Sequence, residues 1–296
     1  MTGCGKYNLP LGMLNIYKPR GMTSHDVVAR IRRVAKIKQV GHTGTLDPFA
    51  TGVLPICIGK ATKLIEYLED DKEYIATIQF GANTDTYDLE GEVTEKFDKK
   101  VTREEILFQL KLFEGEISQI PPIYSAIKVN GKKLYDYARA GQEVEIKPRQ
   151  VNIFKIELKE FDYEKQIAKI LVACSKGTYI RSIAYDLGKN MACGGYLIAL
   201  ERTKAGRFCV ENSISLESLK EINDVEISLI NPLDVMDYPC FYLNDEDKEK
   251  VSHGMALYGK RIDAKDIVFL VYSGKIYAIG RVEQNKIITK KVFEVL

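Results

Sequence analysis

The stretch Gly41-His42-Thr43-Gly44-Thr45-Leu46-Asp47-Pro48 decides how the rest of this chain is read. It packs two glycines, a histidine, two threonines and one carboxylate into eight residues, with no lysine or arginine among them. Glycine lets backbone approach a ligand closely or take positive φ. Pro48 biases Asp47 toward extended backbone, which fixes where its carboxylate points. A nucleophile or an acid/base requires that fixing. Asp47-Pro48 is equally the start of an ordinary short helix, with aspartate at the N-cap and proline at the first helical position. Local chemistry leaves both readings open.

The bulk numbers set the frame. A chain of 296 residues allows one large domain or two. Its 45% hydrophobic and 28% charged content is ordinary for a soluble globular protein. A net charge of +2 makes no case for a nucleic-acid partner, so such a partner needs local asymmetry. From Lys18 to Gly41 seven basic residues (Lys18, Arg20, Arg30, Arg32, Arg33, Lys36, Lys38) face the single acid Asp26. From Lys128 to Arg149 six basic residues face three acids. Solvated faces are the competing explanation of both runs. Six cysteines stand at 4, 57, 174, 193, 209 and 240 with no Cys-x-x-Cys pair, and the three histidines are isolated, so no metal centre is expected. The N-terminus lacks an apolar signal core, and no run approaches the roughly 20 apolar residues of a membrane span. A reducing cytoplasm is the expected compartment.

Taken in order, Leu14 to Tyr17 is a short alternating strand, closed by the turn Lys18-Pro19-Arg20-Gly21. Thr23 or Ser24 caps a helix that buries Val27, Val28, Ile31, Val34 and Ala35 beneath a basic outer surface. Val53 to Ile58 is a buried apolar run, and residues 60–69 read as a helix burying Leu64, Ile65 and Leu68. Tyr74, Ala76, Ile78 and Phe80 alternate along a strand, and Thr84 to Gly91 is a polar loop. Residues 102–114 form a helix with a Thr102/Glu105 capping box. Pro121-Pro122 keep the next segment non-helical. Lys128 to Arg149 interleaves basic residues with Tyr135 and Tyr137, which suits gripping an RNA backbone and equally a surface helix beside a hairpin. Strands over 151–161 and 167–174 lead to Gly177-Thr178 and a helix burying Ile180, Ile183, Ala184 and Leu187. Arg181 lies one position off that stripe, where a lone arginine reads as a solvated charge. A short helix and linker follow over 213–235. Runs at 267–272, 275–282 and 286–289, joined by Ser273-Gly274 and Gln284-Asn285, make a small all-β module of about 60 residues.

The longer run Gly41-His42-Thr43-Gly44-Thr45-Leu46-Asp47-Pro48-Phe49-Ala50-Thr51-Gly52-Val53-Leu54-Pro55 resembles, without a gap, the catalytic motif of the TruB family of bacterial tRNA pseudouridine-55 synthases. Leu14 to Ser24 resembles that family's Lys-Pro-x-Gly-x-Thr-Ser motif, which supports the active site structurally. Ser175 to Arg181 resembles its Ser-x-Gly-Thr-Tyr-Ile-Arg motif, and Tyr196 to Phe208 its last motif. Four segments in the right order span nearly the whole chain. Cys193-Gly194-Gly195-Tyr196 departs from the family's usual lead-in to the last motif, so Tyr196 receives no role.

The resemblance carries specific expectations. Asp47 is the catalytic carboxylate, acting covalently or as a base; Arg181 pairs with it; and Tyr74 stacks on the target uracil, as aromatic faces hold unpaired RNA bases. Leu200 is the apolar wall of the pocket, Tyr179 lies beside it, and His42 fills the space left by the flipped base. Lys18, Lys128 and Arg139 are expected RNA contacts, the last two within an RNA-clasping insertion over 121–150. The expected fold is α+β: a mixed, largely antiparallel pseudouridine-synthase sheet flanked by helices, with a small C-terminal all-β PUA-like domain. The divisions are a flexible tail 1–10, a catalytic domain 11–235 and an RNA-binding module 236–296, with Lys260 and Arg261 facing RNA. The implied enzyme is an isomerase that works on the T arm of tRNA at uridine 55, with no metal, cofactor or obligatory protein partner, as a cytoplasmic monomer. A guide-RNA-dependent synthase of the dyskerin type and a non-catalytic RNA-binding protein are the rival readings.

Overall fold

The alternating Tyr74-x-Ala76-x-Ile78-x-Phe80 pattern forms the strand Lys72–Phe80, with those four side chains buried and the intervening ones half-buried. The computed structural model describes residues 11–260, 262 and 266–293; the expected tail 1–10 and Arg261 lie outside them. The Tyr74 strand lies in the middle of a ten-stranded sheet. Its main path runs Ile214–Ser215, Gly12–Lys18, Thr51–Ile58, Gly195–Ala205, Lys72–Phe80, Ile167–Cys174, Arg149–Asp162, Gly115–Gln119. Two pairings are parallel, Gly12–Lys18 with Ile214–Ser215 and Thr51–Ile58 with Gly195–Ala205; the rest are antiparallel. The sheet is mixed and largely antiparallel, as expected.

One face packs against the helices Ser24–Ala35, Arg103–Lys111 and Ile180–Asn190, around a core that includes Leu14, Ile31, Ile56, Tyr74, Ile106 and Leu187. The opposite face of Gly12–Lys18 and Thr51–Ile58 presents Met13, Val53 and Cys57 to Leu64 and to Phe269, Ile276, Ile279 and Phe293. These last four come from a five-stranded C-terminal sheet ordered Cys240–Tyr242, Ile267–Tyr272, Lys275–Glu283, Lys286–Val292, Leu257–Tyr258. The two strands are therefore covered on both sides, although Leu14 to Tyr17 alternates in polarity. Asn15 is buried on the second face because its amide donates to the Cys209 carbonyl at 2.8 Å. The C-terminal β runs end at the expected turns, with Ser273 and Gly274 both at positive φ (50° and 72°), the geometry of a tight hairpin.

Capping chemistry matches its sequence signal. Thr23 caps the first helix in a box with Asp26, and Thr102 caps the second with Glu105, each worth about 1 kcal/mol. Two expectations need correction. Residues 59–67 form a 3₁₀ helix, not an α-helix, so three-residue spacing aligns Ala61 and Leu64 inward and leaves Ile65 and Leu68 half-buried. The helix expected over 102–114 is Arg103–Lys111, followed by a turn that ends at Gly115 with φ 88°. Within 121–150 a two-stranded hairpin, Lys128–Val129 with Lys132–Lys133, turns through Asn130-Gly131 and precedes the short helix Leu134–Arg139.

Candidate active site

No helix starts at Asp47. Residues 47–50 form a turn closed by the Ala50 amide donating to the Asp47 carbonyl at 3.1 Å, so the capping alternative falls away. The loop is pinned from three directions. Ser24 Oγ accepts from the Leu46 amide at 2.8 Å and donates to its carbonyl at 3.1 Å. The Gly21 amide donates to the Pro48 carbonyl at 2.8 Å. Arg202 donates to the carbonyls of Val53 (2.7 Å), Gly44 (3.1 Å) and Thr45 (3.5 Å).

Lys18 belongs to the same scaffold, which corrects its expected role. It has no exposed surface, and its ammonium donates to the carbonyls of Pro19 (2.9 Å), Met22 (2.7 Å) and Pro48 (3.2 Å). No face of it remains for a phosphate. Burial lowers its pKa to about 8, against the pull of Asp47. Its work is to hold the turn that presents Asp47.

Arg181 is buried at the start of the helix Ile180–Asn190. The backbone just before it is fixed by Gln119, whose side-chain amide donates to the Tyr179 carbonyl at 3.0 Å and accepts from the Tyr179 amide at 2.8 Å. The guanidinium meets Asp47 side-on. Nη2 donates to Oδ1 at 3.2 Å, and Nε lies 2.9 Å from Oδ2 as a close ion pair without the alignment of a hydrogen bond. Nη2 also donates to the Tyr124 carbonyl (3.0 Å) and Nη1 to the Thr86 carbonyl (3.2 Å). Asp47 keeps a third of its side chain exposed while Arg181 is almost wholly enclosed. The site thus offers one accessible carboxylate, held from behind.

A second carboxylate stands behind Arg181. Asp88 Oδ2 lies 3.5 Å from Nη1, and Oδ1 accepts from the Thr86 hydroxyl (2.6 Å) and the Glu90 amide (3.0 Å). Burial pushes its carboxyl above the usual range, although Thr86 and Arg181 pull it down. Sequence reading missed Asp88, which lies in the polar loop 84–91. It also passed over Arg202, whose signal was a cation at an inward position of the strand Gly195–Ala205, two residues from buried Leu200.

The other expected residues fall into three groups. Tyr74 and Leu200 are buried on one sheet face, and Leu200 is the register partner of Ala76, two residues from Tyr74. Burial pushes the Tyr74 phenol up to about 12. Tyr179 is half-buried, its hydroxyl raised first by burial, then modified by charges that include Arg181 and Asp47. His42 is half-buried on the strand before the loop, and burial and then Arg202 depress its pKa. Lys128 and Arg139 are exposed on the insertion, apart from the Asp47 cluster, with Arg139 5.4 Å from the Tyr135 ring. Beside the C-terminal sheet Lys260 is ion-paired with buried Asp247 at 2.9 Å. Among the described residues no three His, Cys, Asp or Glu side chains are grouped to hold a metal.

Residues 32–180, which carry both Asp47 and Asp88, match the family model described as "TruB family pseudouridylate synthase (N terminal domain)". The chain is 43% identical over 289 residues to the "tRNA pseudouridine synthase B" of Francisella philomiragia subsp. philomiragia, covering 96% of this chain and 95% of the relative. The chain belongs to the TruB family of pseudouridylate synthases. The similarly named protein of Clostridium tetani is 42% identical over 276 residues, 91% of this chain and 95% of the relative. Among solved structures, one described as "Crystal Structure of a Cbf5-Nop10-Gar1 Complex" superposes with a TM-score of 0.70 at 26% identity, over 95% of this chain and 83% of that one. The TruB-type likeness thus extends through the C-terminal sheet, consistent with a PUA-like module. Within this family frame, the loop, the Arg181 helix and the Tyr74 strand come from three distant parts of one chain.

Proposed function

We propose that this TruB-family protein is a stand-alone tRNA pseudouridine synthase that isomerises the T-loop uridine at position 55, with Asp47 as the catalytic carboxylate. The observation that carries the reading is the accessible Asp47 carboxylate gripped by the enclosed Arg181 guanidinium. An ion pair of this kind holds a carboxylate in one orientation. In the reaction the N1–C1′ bond breaks, the uracil turns, a C5–C1′ bond forms, the C5 proton leaves and N1 gains one. Asp47 acts on the sugar, as nucleophile or as base. A uridine inside a folded loop must leave its stack to reach the carboxylate. Tyr74 then offers an aromatic face and Leu200 an apolar wall for the flipped base, with Tyr179 beside them. His42, kept neutral by burial, fills the space the base leaves. Lys128 and Arg139, on the insertion over 121–150, grip the RNA backbone. The catalytic unit is 11–235 and the RNA-binding module 236–296. The reading requires no metal, cofactor or partner protein and places a monomer in the cytoplasm.

The deciding experiment is tritium release from unmodified tRNA labelled at uridine C5, with wild type and Asp47→Ala in parallel. Release by wild type alone supports the reading. Tight tRNA binding without release by wild type would overturn it in favour of a non-catalytic RNA-binding protein. Release only with added guide RNA and partner proteins would favour the dyskerin-type alternative.

A further inference from the structure

Among the described residues Arg202 is the largest side chain with essentially no exposed surface. Among the described residues it is paired with no carboxylate. A buried cation without a counter-ion is unfavourable unless dipoles replace its water, and a well-packed apolar residue would serve a purely structural position better. Here carbonyls supply the dipoles, and they come from the catalytic loop. Nη2 reaches Gly44, Nη1 reaches Thr45, and Nε reaches Val53 where the loop re-enters the sheet. On the other side lies Tyr74, the register partner of Arg202 on the neighbouring strand, its phenol within the guanidinium's electrostatic reach.

A second observation marks the same point. Gly52 pairs with Arg202 in parallel register and has φ 103°. A Cβ there would sit 2.3 Å from the Arg202 carbonyl oxygen and 2.8 Å from its amide nitrogen. Only glycine lets the loop's exit strand come this close. The loop is therefore clamped twice, by the side chain of Arg202 in its middle and by the backbone of Arg202 at its exit.

We propose that Arg202 is a positioning residue for the isomerisation, fixing the Asp47 loop and the Tyr74 ring in one relative geometry. Asp47 and Tyr74 lie on separate elements, and a displacement of about 1 Å between reacting groups is enough to lower a rate about a hundredfold. Arg202 joins both elements, holding the loop through its rigid planar fork and meeting Tyr74 by register pairing across the strands. Lysine keeps the charge but not the fork. The charge also holds His42 neutral, since Arg202 is the first charged neighbour that depresses its pKa, after burial itself.

The inference rests on the synthase reading, and the test separates the two. Tritium release is followed in single turnover on pre-formed tRNA complexes of wild type, Arg202→Met, Arg202→Lys, Tyr74→Phe and the Tyr74→Phe/Arg202→Lys double variant. Affinity for tRNA, thermal unfolding and the NMR titration of His42 are measured alongside. The expected result is a rate loss of about a hundredfold in Arg202→Met, with tRNA affinity within about threefold of wild type. Arg202→Lys falls between, and Tyr74→Phe adds less to it than it costs alone, because the two residues are paired on neighbouring strands. The His42 pKa rises in Arg202→Met and stays low in Arg202→Lys. A folded Arg202→Met with a rate within about threefold of wild type would overturn the proposal, as would full additivity of the Tyr74→Phe and Arg202→Lys losses. If Arg202→Met does not fold, the lysine cycle decides alone. Absence of release by wild type would instead overturn the synthase reading.

Discussion

Asp47 and Arg181 are 134 residues apart in the chain and meet through two nitrogen–oxygen contacts, at 2.9 and 3.2 Å. The same guanidinium donates to the carbonyls of Thr86 and Tyr124 and faces Asp88. One planar fork therefore fixes the Asp47 loop, the polar loop 84–91 and the base of the insertion. An ammonium is a point charge and cannot reach all of these groups. Arg181→Lys is expected to lower the single-turnover rate by about 10²–10³-fold with little change in tRNA affinity. Equal rates for the variant and wild type would remove Arg181 from the active arrangement.

Asp47→Asn replaces one carboxylate oxygen with an amide of the same shape. A third of the side chain faces solvent, so the fold should tolerate the change. Turnover is expected to fall by about 10³-fold or more, the scale seen when a central catalytic group is removed. Affinity for unmodified tRNA, read by filter binding, stays near that of wild type. Near-normal turnover would refute the assignment.

Asp88 must be ionised to face Arg181, and burial raises its carboxyl above the ordinary range. As pH falls, Asp88 gains its proton before an ordinary aspartate does, and Arg181 loses one of its two carboxylate neighbours. The wild-type rate should then decline on the acid side. Asp88→Asn is expected to be about tenfold slower near neutral pH, the low end for a hydrogen bond to a charged group. Its acid limb should be flatter, because the titrating group is gone. An unchanged limb in a pH–rate profile would assign that titration elsewhere.

Lys18 gives a stability signature whose sign follows from its lowered pKa of about 8. Between about pH 8 and the unfolded value near 10.5, the unfolded chain holds a proton at Lys18 that the folded chain has lost. Unfolding there takes up a proton, so this residue makes stability rise with pH across that window. Lys18→Met should reduce that upward slope in urea titrations between pH 8 and 10. It should also slow turnover, since the Pro48 carbonyl loses a donor beside Asp47.

Gly52→Ala tests how tightly the loop's exit strand is held. The added methyl meets backbone atoms of Arg202 that have no freedom to move aside. The variant should lose more than about 1 kcal/mol of stability, the scale of a side chain forced into positive φ. Chemical denaturation reads it directly, and a loss within error would show that the two strands can separate at this point.

The sequence by itself determined the elements whose period is local. Tyr74, Ala76, Ile78 and Phe80 alternate because one face of a strand meets the core, and that alternation is written into consecutive residues. The capping box at Thr102 and the turns at Ser273 and Gln284 are local for the same reason, and the structure settles the first helix's cap, left between Thr23 and Ser24, on Thr23. The resemblance in four segments pointed to Asp47 and Arg181 and to the family.

Tertiary structure decided the fate of the charges. Lys18 lay in a basic run open to reading as a solvated face, Arg181 read by itself as a solvated charge and Arg202 drew no reading, yet all three are buried, because carbonyls and carboxylates from distant segments replace their water. Only the folded chain brings Pro48 to Lys18, Gly44 to Arg202, and Thr86, Asp88 and Tyr124 to Arg181. A hydrogen-bond shell assembled from segments tens to more than a hundred residues apart leaves no local period to read. Burial of a charge is a property of that assembled shell rather than of the residue and its neighbours in sequence.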